Sequence, residues 1–388
     1  MTEYTERPST APAFSEARLL EQLKGAGAVY LRGDFKEPDI DFFAPAQVLE
    51  NLRTLLSENA FYLLRGDSSK QIWGRFVAGR LLQVDLTLNF DYIFKNFPGV
   101  SFRPEFVEAF LRSPLSAQLS FNVLRYLFME RAGSKYRQYI LSNREQIIKE
   151  GFYLRELSCN PLREIKDLPR KLMAHIEKGR RISLWPFLRP GKLPDFLMRK
   201  VHHVFSQAGR GRSLALVGAD GCGKSTVAGA LGNAFGTRSI YMGSNDFVCQ
   251  KLFLCLDRKG KFLSGIKFFL VYVENWFKFL RVVWQMLHGR VVIIDRHPAF
   301  QYFLQKGPGY FLNSLFYRWF FPRPFRSIIL WAPAQIIRAR KPELSEDTIL
   351  ALYQAYEREL SGRRDVVRIE NLNLDDTLNR ILGIIGVR

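Results

Sequence analysis

One stretch limits the possible folds of this chain more than any other: Gly218-Ala-Asp220-Gly221-Cys222-Gly223-Lys224-Ser225-Thr226. An apolar run, Leu214–Val217, precedes it, and a helix-forming run, Thr226–Phe235, follows. Gly218, four residues, then Gly223-Lys224-Ser225 is the spacing of a loop that cradles phosphate. Glycines let successive backbone N–H groups curl around phosphate oxygens where side chains would obstruct them. The helix that follows adds positive potential at its N-terminus. Lys224 supplies a point charge for the β- and γ-phosphates, and the Ser225 hydroxyl is a Mg²⁺ ligand. Gly218, Gly221, Cys222, Gly223, Lys224, Ser225 and Thr226 are therefore the candidate ATP-binding residues.

Such a loop needs an acidic partner at the end of a neighbouring strand. Arg290-Val-Val-Ile-Ile-Asp295-Arg296-His297 offers one. Its four β-branched residues predict a buried strand, with Asp295 at the carboxyl end, where open parallel sheets bind ligands. Asp295 is the candidate Mg²⁺-shell residue and Arg296 a phosphate clamp; the competing reading of Asp295 is a helix cap. After a further strand, Ser327–Ala332, comes Ile336-Ile-Arg338-Ala-Arg340-Lys341-Pro342-Glu343, helical until Pro342. Arg338 and Arg340 suit a lid over a transferring phosphoryl group, or else a solvated helix face.

From about residue 208 onward strands and helices alternate, which predicts a parallel sheet covered on both faces. GADGCGKST, VVIIDRH and RARKPE together resemble the thymidylate kinase family of P-loop phosphotransferases, over about 212–388. The resemblance implies an α/β fold of three layers, α/β/α, with an ATP·Mg²⁺ site and an acceptor pocket across the sheet edge. It gives Asp220 a place facing the acceptor, Asp295-Arg296 the Asp-Arg motif, and Arg338 and Arg340 the lid. Members usually carry Arg-Glu-Pro after the second strand; here the sequence reads Ser239-Ile-Tyr-Met-Gly-Ser-Asn-Asp246. His297-Pro298 stands where an aromatic residue usually follows Asp-Arg. These departures point the acceptor away from thymidylate. They bring the chain nearer to thymidylate-kinase-like proteins associated with bacterial surface polysaccharides.

The first half has a different grammar. Short strand-like runs at 28–33, 39–44, 61–66 and 81–88, with a helix at 46–59, predict a small α+β unit. Asp39 and Asp41 are two apart on one strand and share a face. Asp85 on another strand completes a candidate three-carboxylate Mg²⁺ site. Together with Gly33 and Asp34, this arrangement resembles the minimal nucleotidyltransferase fold over roughly 25–95, although that family has Ser after the glycine. Strand-end aspartates in a scaffold remain the alternative. The expected organisation is a flexible tail (1–15), an α+β nucleotidyltransferase-like domain (16–100), a helical basic connector (101–207) and the P-loop kinase domain (208–388).

Composition narrows the partners. With 57 Lys+Arg against 37 Asp+Glu, the net charge is +20, and 47% of residues are hydrophobic, which excludes intrinsic disorder. The four cysteines have no disulfide or metal spacing. Residues 163–200 carry 11 Lys/Arg against 4 Asp/Glu, with Trp185, Phe187 and Phe196 among them. Basic residues interleaved with aromatics suit anionic lipid, nucleic acid or a solvated face, and the lack of a nucleic-acid module disfavours the second. His175, His202 and His203 do not have a metal-site spacing. The apolar stretch Phe262–Leu287 is broken by Lys267, Glu274, Asn275, Lys278, Arg281 and Gln285. It predicts a buried or amphipathic helix, or one lying on a membrane, but not a span. No signal peptide is evident at the N-terminus. The expectation is a cytoplasmic kinase acting on a phosphorylated or sugar-linked acceptor, with peripheral contact at the inner membrane surface. A non-catalytic NTP-dependent regulator and a nucleic-acid-stimulated NTPase are its rivals.

Overall fold

The computed structural model describes residues 14–32, 39–66, 69–90, 107, 110, 117–128, 134–150, 168–178, 211–243, 261–300, 302–304, 311, 314–360 and 362–386. Expectations for the N-terminal tail up to residue 13, for Gly33-Asp34 and for residues 244–246 lie outside these residues. So do those for Trp185, Phe187, Phe196, His202 and His203 in the connector, and for 251–260 in the Phe-rich segment. The chain divides into two compact units, one built mainly from the first half and one from about residue 202 onward.

In the first-half unit, helix α1 (Glu16–Gly25) starts at Ser15, whose hydroxyl accepts from the Arg18 N–H at 3.4 Å. Strands β1 (Val29–Arg32), β2 (Asp39–Phe43), β3 (Tyr62–Gly66), β4 (Lys70–Val77) and β5 (Arg80–Thr87) form one sheet in the order β1-β2-β5-β4-β3. The helix expected at 46–59 is a 3₁₀ turn, Ala46–Val48, running into α2 (Leu49–Glu58). Strand β4 was not among the expected strands. Gly74 interrupts its pattern, and a Cβ there would come within 2.6 Å of Leu64 Cδ1, so the glycine marks a close approach rather than a break. Helices α3 (Ala117–Phe128), α4 (Ser134–Ser142), α5 (Arg144–Glu150) and α6 (Leu168–Glu177) follow.

The second-half unit holds a five-stranded sheet whose paired strands all run parallel: β6 (Arg212–Val217), β7 (Ile240–Tyr241), β8 (Val291–Asp295), β9 (Arg326–Trp331) and β10 (Val366–Glu370), in the order β10-β9-β6-β8-β7. Between the strands come α7 (Lys224–Phe235), α8 (Lys261–Leu287), α9 (Ala334–Arg340) and α10 (Glu346–Leu360), and α11 (Leu374–Ile385) follows β10. Alternate strand residues face opposite ways. Ala215, Val217, Val292 and Ile294 share a core with Phe279 and Val282 of α8. The intervening Leu214, Leu216 and Ile293 are equally buried. Both faces of the sheet are therefore covered, as in a three-layer α/β/α arrangement. β6 lies at the centre, paired with β8 on one side and β9 on the other. The loop leaving its carboxyl end thus emerges at the point where strand order reverses.

Candidate functional site

The loop after β6 has the backbone its glycines predict. Gly218 (φ 143°), Gly221 (φ 87°) and Gly223 (φ 93°) all lie at positive φ. A Cβ on Gly218 would sit 2.3 Å from the Leu330 carbonyl oxygen of β9, and one on Gly223 would sit 2.4 Å from Asn371 Nδ2. Lys224, the first residue of α7, is buried, and its ammonium donates to the carbonyl oxygens of Gly218 (2.9 Å) and Ala219 (2.6 Å). Its third neighbour is Asp220, at 3.4 Å. Asp220 is half-exposed and also pairs with Arg296. The Cys222 thiol is buried, and burial pushes its pKa up. Cys222 contributes its backbone to the loop, with its carbonyl accepting from Asn371.

The pairing of β6 with β8 puts Asp295 beside Leu216, and the Arg296 N–H donates to the Leu216 carbonyl at 3.1 Å. Asp295 therefore emerges next to the start of the loop. The Ser225 hydroxyl donates to its Oδ2 at 3.3 Å, and its Oδ1 is buried without a hydrogen-bond partner among the described residues. Burial raises the Asp295 pKa, while Lys224, Arg296 and the Ser225 hydrogen bond pull it down. A serine hydroxyl beside a carboxylate with one idle oxygen is a hard-oxygen donor set that fits Mg²⁺. Arg296 has a left-handed backbone (φ 65°), uncommon without glycine, and its guanidinium lies over the Tyr241 ring, 5.7 Å from the centroid.

Lys224, Ser225, Asp220 and Arg296 line a cleft of about 700 Å³ together with Arg340, Lys341 and Asn371, and Asp295 meets it through the Ser225 hydroxyl. Arg340 Nη1 donates to the Gly221 carbonyl at 3.3 Å. Arg338 is not part of the lining; it lies 4.0 Å from Glu346, with its side chain more than half exposed. A second, smaller cavity of about 190 Å³ lies on the other side of Asp220 and Arg296. Leu304, Ile349, Leu352 and Tyr356 form part of its wall.

Neither β10 nor the residue after it figured in the sequence reading. Asn371 leaves β10 and is nearly fully buried. Its Nδ2 donates to the Cys222 carbonyl at 2.8 Å, its Oδ1 accepts from Thr377 Oγ1 at 2.9 Å, and its N–H donates to the Trp331 carbonyl at 2.7 Å. Asn371 is a positioning residue that props the loop from beneath. Asn371→Leu should lower the unfolding free energy by about 1–3 kcal/mol, because the loop carbonyl and the Thr377 hydroxyl lose a buried partner. It should also weaken nucleotide binding. Calorimetric titration alongside a melting curve checks both, and unchanged affinity would reduce Asn371 to a core residue.

No family model and no curated protein matches this chain. Solved structures do. Thymidylate kinase from Candida albicans is 18% identical over 45% of this chain and 91% of that one, with a TM-score of 0.37. Thymidylate kinase from Ehrlichia chaffeensis is 14% identical over 45% and 99%, with a TM-score of 0.30. What the cleft can do is read from its own residues.

In the first-half unit the parallel register of β2 and β5 sets Asp41 beside Asp85. Carboxylate oxygens, one each from Asp39, Asp41 and Asp85, lie within 4.8 Å of one another, a group able to hold a cation. Three protein cations already attend them. Arg32 pairs with Asp39 and Asp41, Lys70 lies 3.2 Å from Asp41 and 2.5 Å from Asp85, and Arg125 lies 3.4 Å from Asp41. Burial, opposed by Lys70, raises the Asp85 pKa to about 6. A divalent ion bridging Asp41 and Asp85 would have to displace the Lys70 ammonium.

Proposed function

We propose that the second half of this chain is an ATP-dependent phosphotransferase. The observation that carries this reading is the joining of three parts at one cleft: a glycine loop at a helix N-terminus, a buried lysine within it, and a lining serine bonded to an aspartate with an idle carboxylate oxygen. The loop N–H groups and the α7 N-terminus bind the polyphosphate. Lys224 exchanges its loop carbonyls for phosphate oxygens. Ser225 and Asp295 would hold Mg²⁺, which would supply positive charge against the phosphates. Arg340 closes over the loop, and Arg296 meets the group being phosphorylated. Arg338 joins only if the lid moves, since at rest it faces Glu346.

The acceptor belongs beside Asp220 and Arg296, where the smaller cavity offers one charged end and apolar walls. This suits a phosphate or hydroxyl carried on a nucleotide-like or sugar-linked molecule. A place in surface polysaccharide metabolism rests on the motif resemblance alone. Nucleotidyl transfer in the first half stands on the same footing, while a Mg²⁺ role for Asp39, Asp41 and Asp85 has the closeness of their carboxylates behind it.

ADP formation should be slow with ATP and Mg²⁺ alone and rise steeply with the right acceptor from a panel of nucleotides, sugar phosphates and lipid-linked sugars. Acceptor-independent binding of ATP, with no stimulation across the panel, would favour an NTP-dependent switch. Stimulation by single- or double-stranded nucleic acid would favour an NTPase.

A further inference from the structure

Helix α8 is amphipathic in an unusual sense: both of its long faces are apolar. One face, with Tyr272, Phe279 and Val282, is buried in the sheet core. Asn275 on the same face donates from Nδ2 to Tyr317 Oη at 2.9 Å, and its buried Oδ1 has no partner among the described residues. The other face carries Leu270, Phe277, Leu280, Trp284 and Leu287, all exposed, with Phe277 and Trp284 about two-thirds so. At roughly 100° per residue these positions form one stripe covering about a third of the helix circumference. The segment packed against α8 repeats the pattern. Phe316 and Tyr317 meet Tyr272 edge-to-face, and Phe321 meets Trp276 and Phe279 in the same way, while Trp319 and Phe320 point to solvent, 72% and 62% exposed. Exposed aromatic clusters of this size mark a contact surface.

The charges on these two segments decide what the contact is. Arg281, His288, Arg290, Arg318 and Arg323 are exposed among the rings, and the Arg318 guanidinium lies 5.8 Å from the Trp319 centroid. Between Leu270 and Arg290 the one acidic residue is Glu274, which is largely buried and 3.4 Å from Lys278. Between Phe311 and Arg326 there is none. Two copies joined through this face would set one basic surface against another, which disfavours self-association. An anionic lipid surface complements both features, with headgroups for the arginines and the acyl boundary for the tryptophans. No helix among the described residues is long and apolar enough to cross a membrane, so α8 would lie along one.

We infer that the outer face of α8, with Trp319, Phe320 and Arg318 of the neighbouring segment, docks this protein on the surface of an anionic membrane. The test is flotation of the full chain with phosphatidylcholine vesicles, with and without about 30 mol % phosphatidylglycerol. The chain should float with the anionic vesicles and not with the neutral ones. Trp284→Glu with Trp319→Glu should abolish flotation, and Arg281→Glu with Arg318→Glu should remove the preference for anionic lipid. Both double variants should leave ATP affinity and melting temperature unchanged, which separates this inference from the phosphotransferase reading. No flotation, or flotation indifferent to both variants, overturns it. So does light scattering that shows a wild-type dimer dissociated by the tryptophan variant, or retention of nucleic acid lost in the same variants.

Discussion

Lys224→Ala should abolish measurable ATP binding and reduce any remaining turnover by ~10²–10³-fold or more, the scale of losing one preorganised donor to developing charge. The expectation follows from where the side chain sits. Its ammonium is buried against two loop carbonyls, so it is held in place before the nucleotide arrives. It is also the cation that most lowers the Asp295 pKa against the effect of burial. Without it, Asp295 holds its proton to higher pH, and the acidic limb of the residual rate profile should move upward. The helix that follows the loop is anchored elsewhere, through Val227, Ala228 and Leu231 in the core. Melting behaviour should therefore change far less than binding. A fluorescent-nucleotide titration and a steady-state pH profile are the measurements. Normal affinity in the variant would mean that the cleft is not the nucleotide site. Lys341→Ala, at the exposed rim of the same cleft, should have a minor effect and serves as the control.

What the sequence made legible was whatever depends on local chemistry. Glycine spacing, a lysine and serine at a helix start, and four β-branched residues before Asp295 each have a meaning that does not depend on the rest of the chain. Asp39, Asp41 and Asp85 could be grouped because strand alternation fixes which side chains share a face. The parts that escaped depend on long-range packing. Asn371 is one polar residue after an unremarkable strand, 149 residues from the Cys222 carbonyl it meets. Strand β4 carries a glycine whose reason is a leucine on the neighbouring strand. Lys70, which spans two of the three aspartates, lies at the start of that same missed strand. Arg338 and Arg340 look equivalent in sequence, yet two positions along a helix differ by about 200°, so one reaches the loop and the other turns to Glu346. In α8 the sequence shows only an apolar run with polar interruptions; the packed structure shows that one of these, Asn275, is buried, while Phe277 and Trp284 are exposed.

His297 carries the other large expectation, a loss of stability in acid. The ring is fully buried, edge-on to Phe279, Phe300 and Phe321 at centroid distances of 6.1, 5.6 and 5.4 Å. It stands where the resemblance led one to expect an aromatic residue, and it packs as one. Its Nδ1 accepts from the Ala299 N–H at 3.3 Å, and its Nε2 has no partner among the described residues. Burial, helped by the charge of Arg363, pushes its pKa from 6.5 down to about 3. The folded chain therefore keeps His297 neutral where the unfolded chain takes up a proton. Above pH 6.5 both states are neutral, and the group has no effect. As pH falls from 6.5 towards about 3 the unfolded state binds more protons, and stability drops by up to about 1.4 kcal/mol per pH unit. Asp85 works in the opposite sense in the other unit. Its folded pKa of about 6 lies above the ordinary 3.8 of an aspartate, so it adds stability as pH falls through that window. Comparing wild type with His297→Phe cancels Asp85 and every other carboxylate. At pH 7.5 the larger ring should cost about 1–3 kcal/mol by overpacking. Below about pH 5 the order should reverse, because the variant has no buried base to protonate. Urea denaturation at several pH values between 7.5 and 4 measures the difference. If the two proteins keep parallel pH profiles, His297 is not titrating in the unfolded chain against a neutral folded state, and its burial among those rings is wrong.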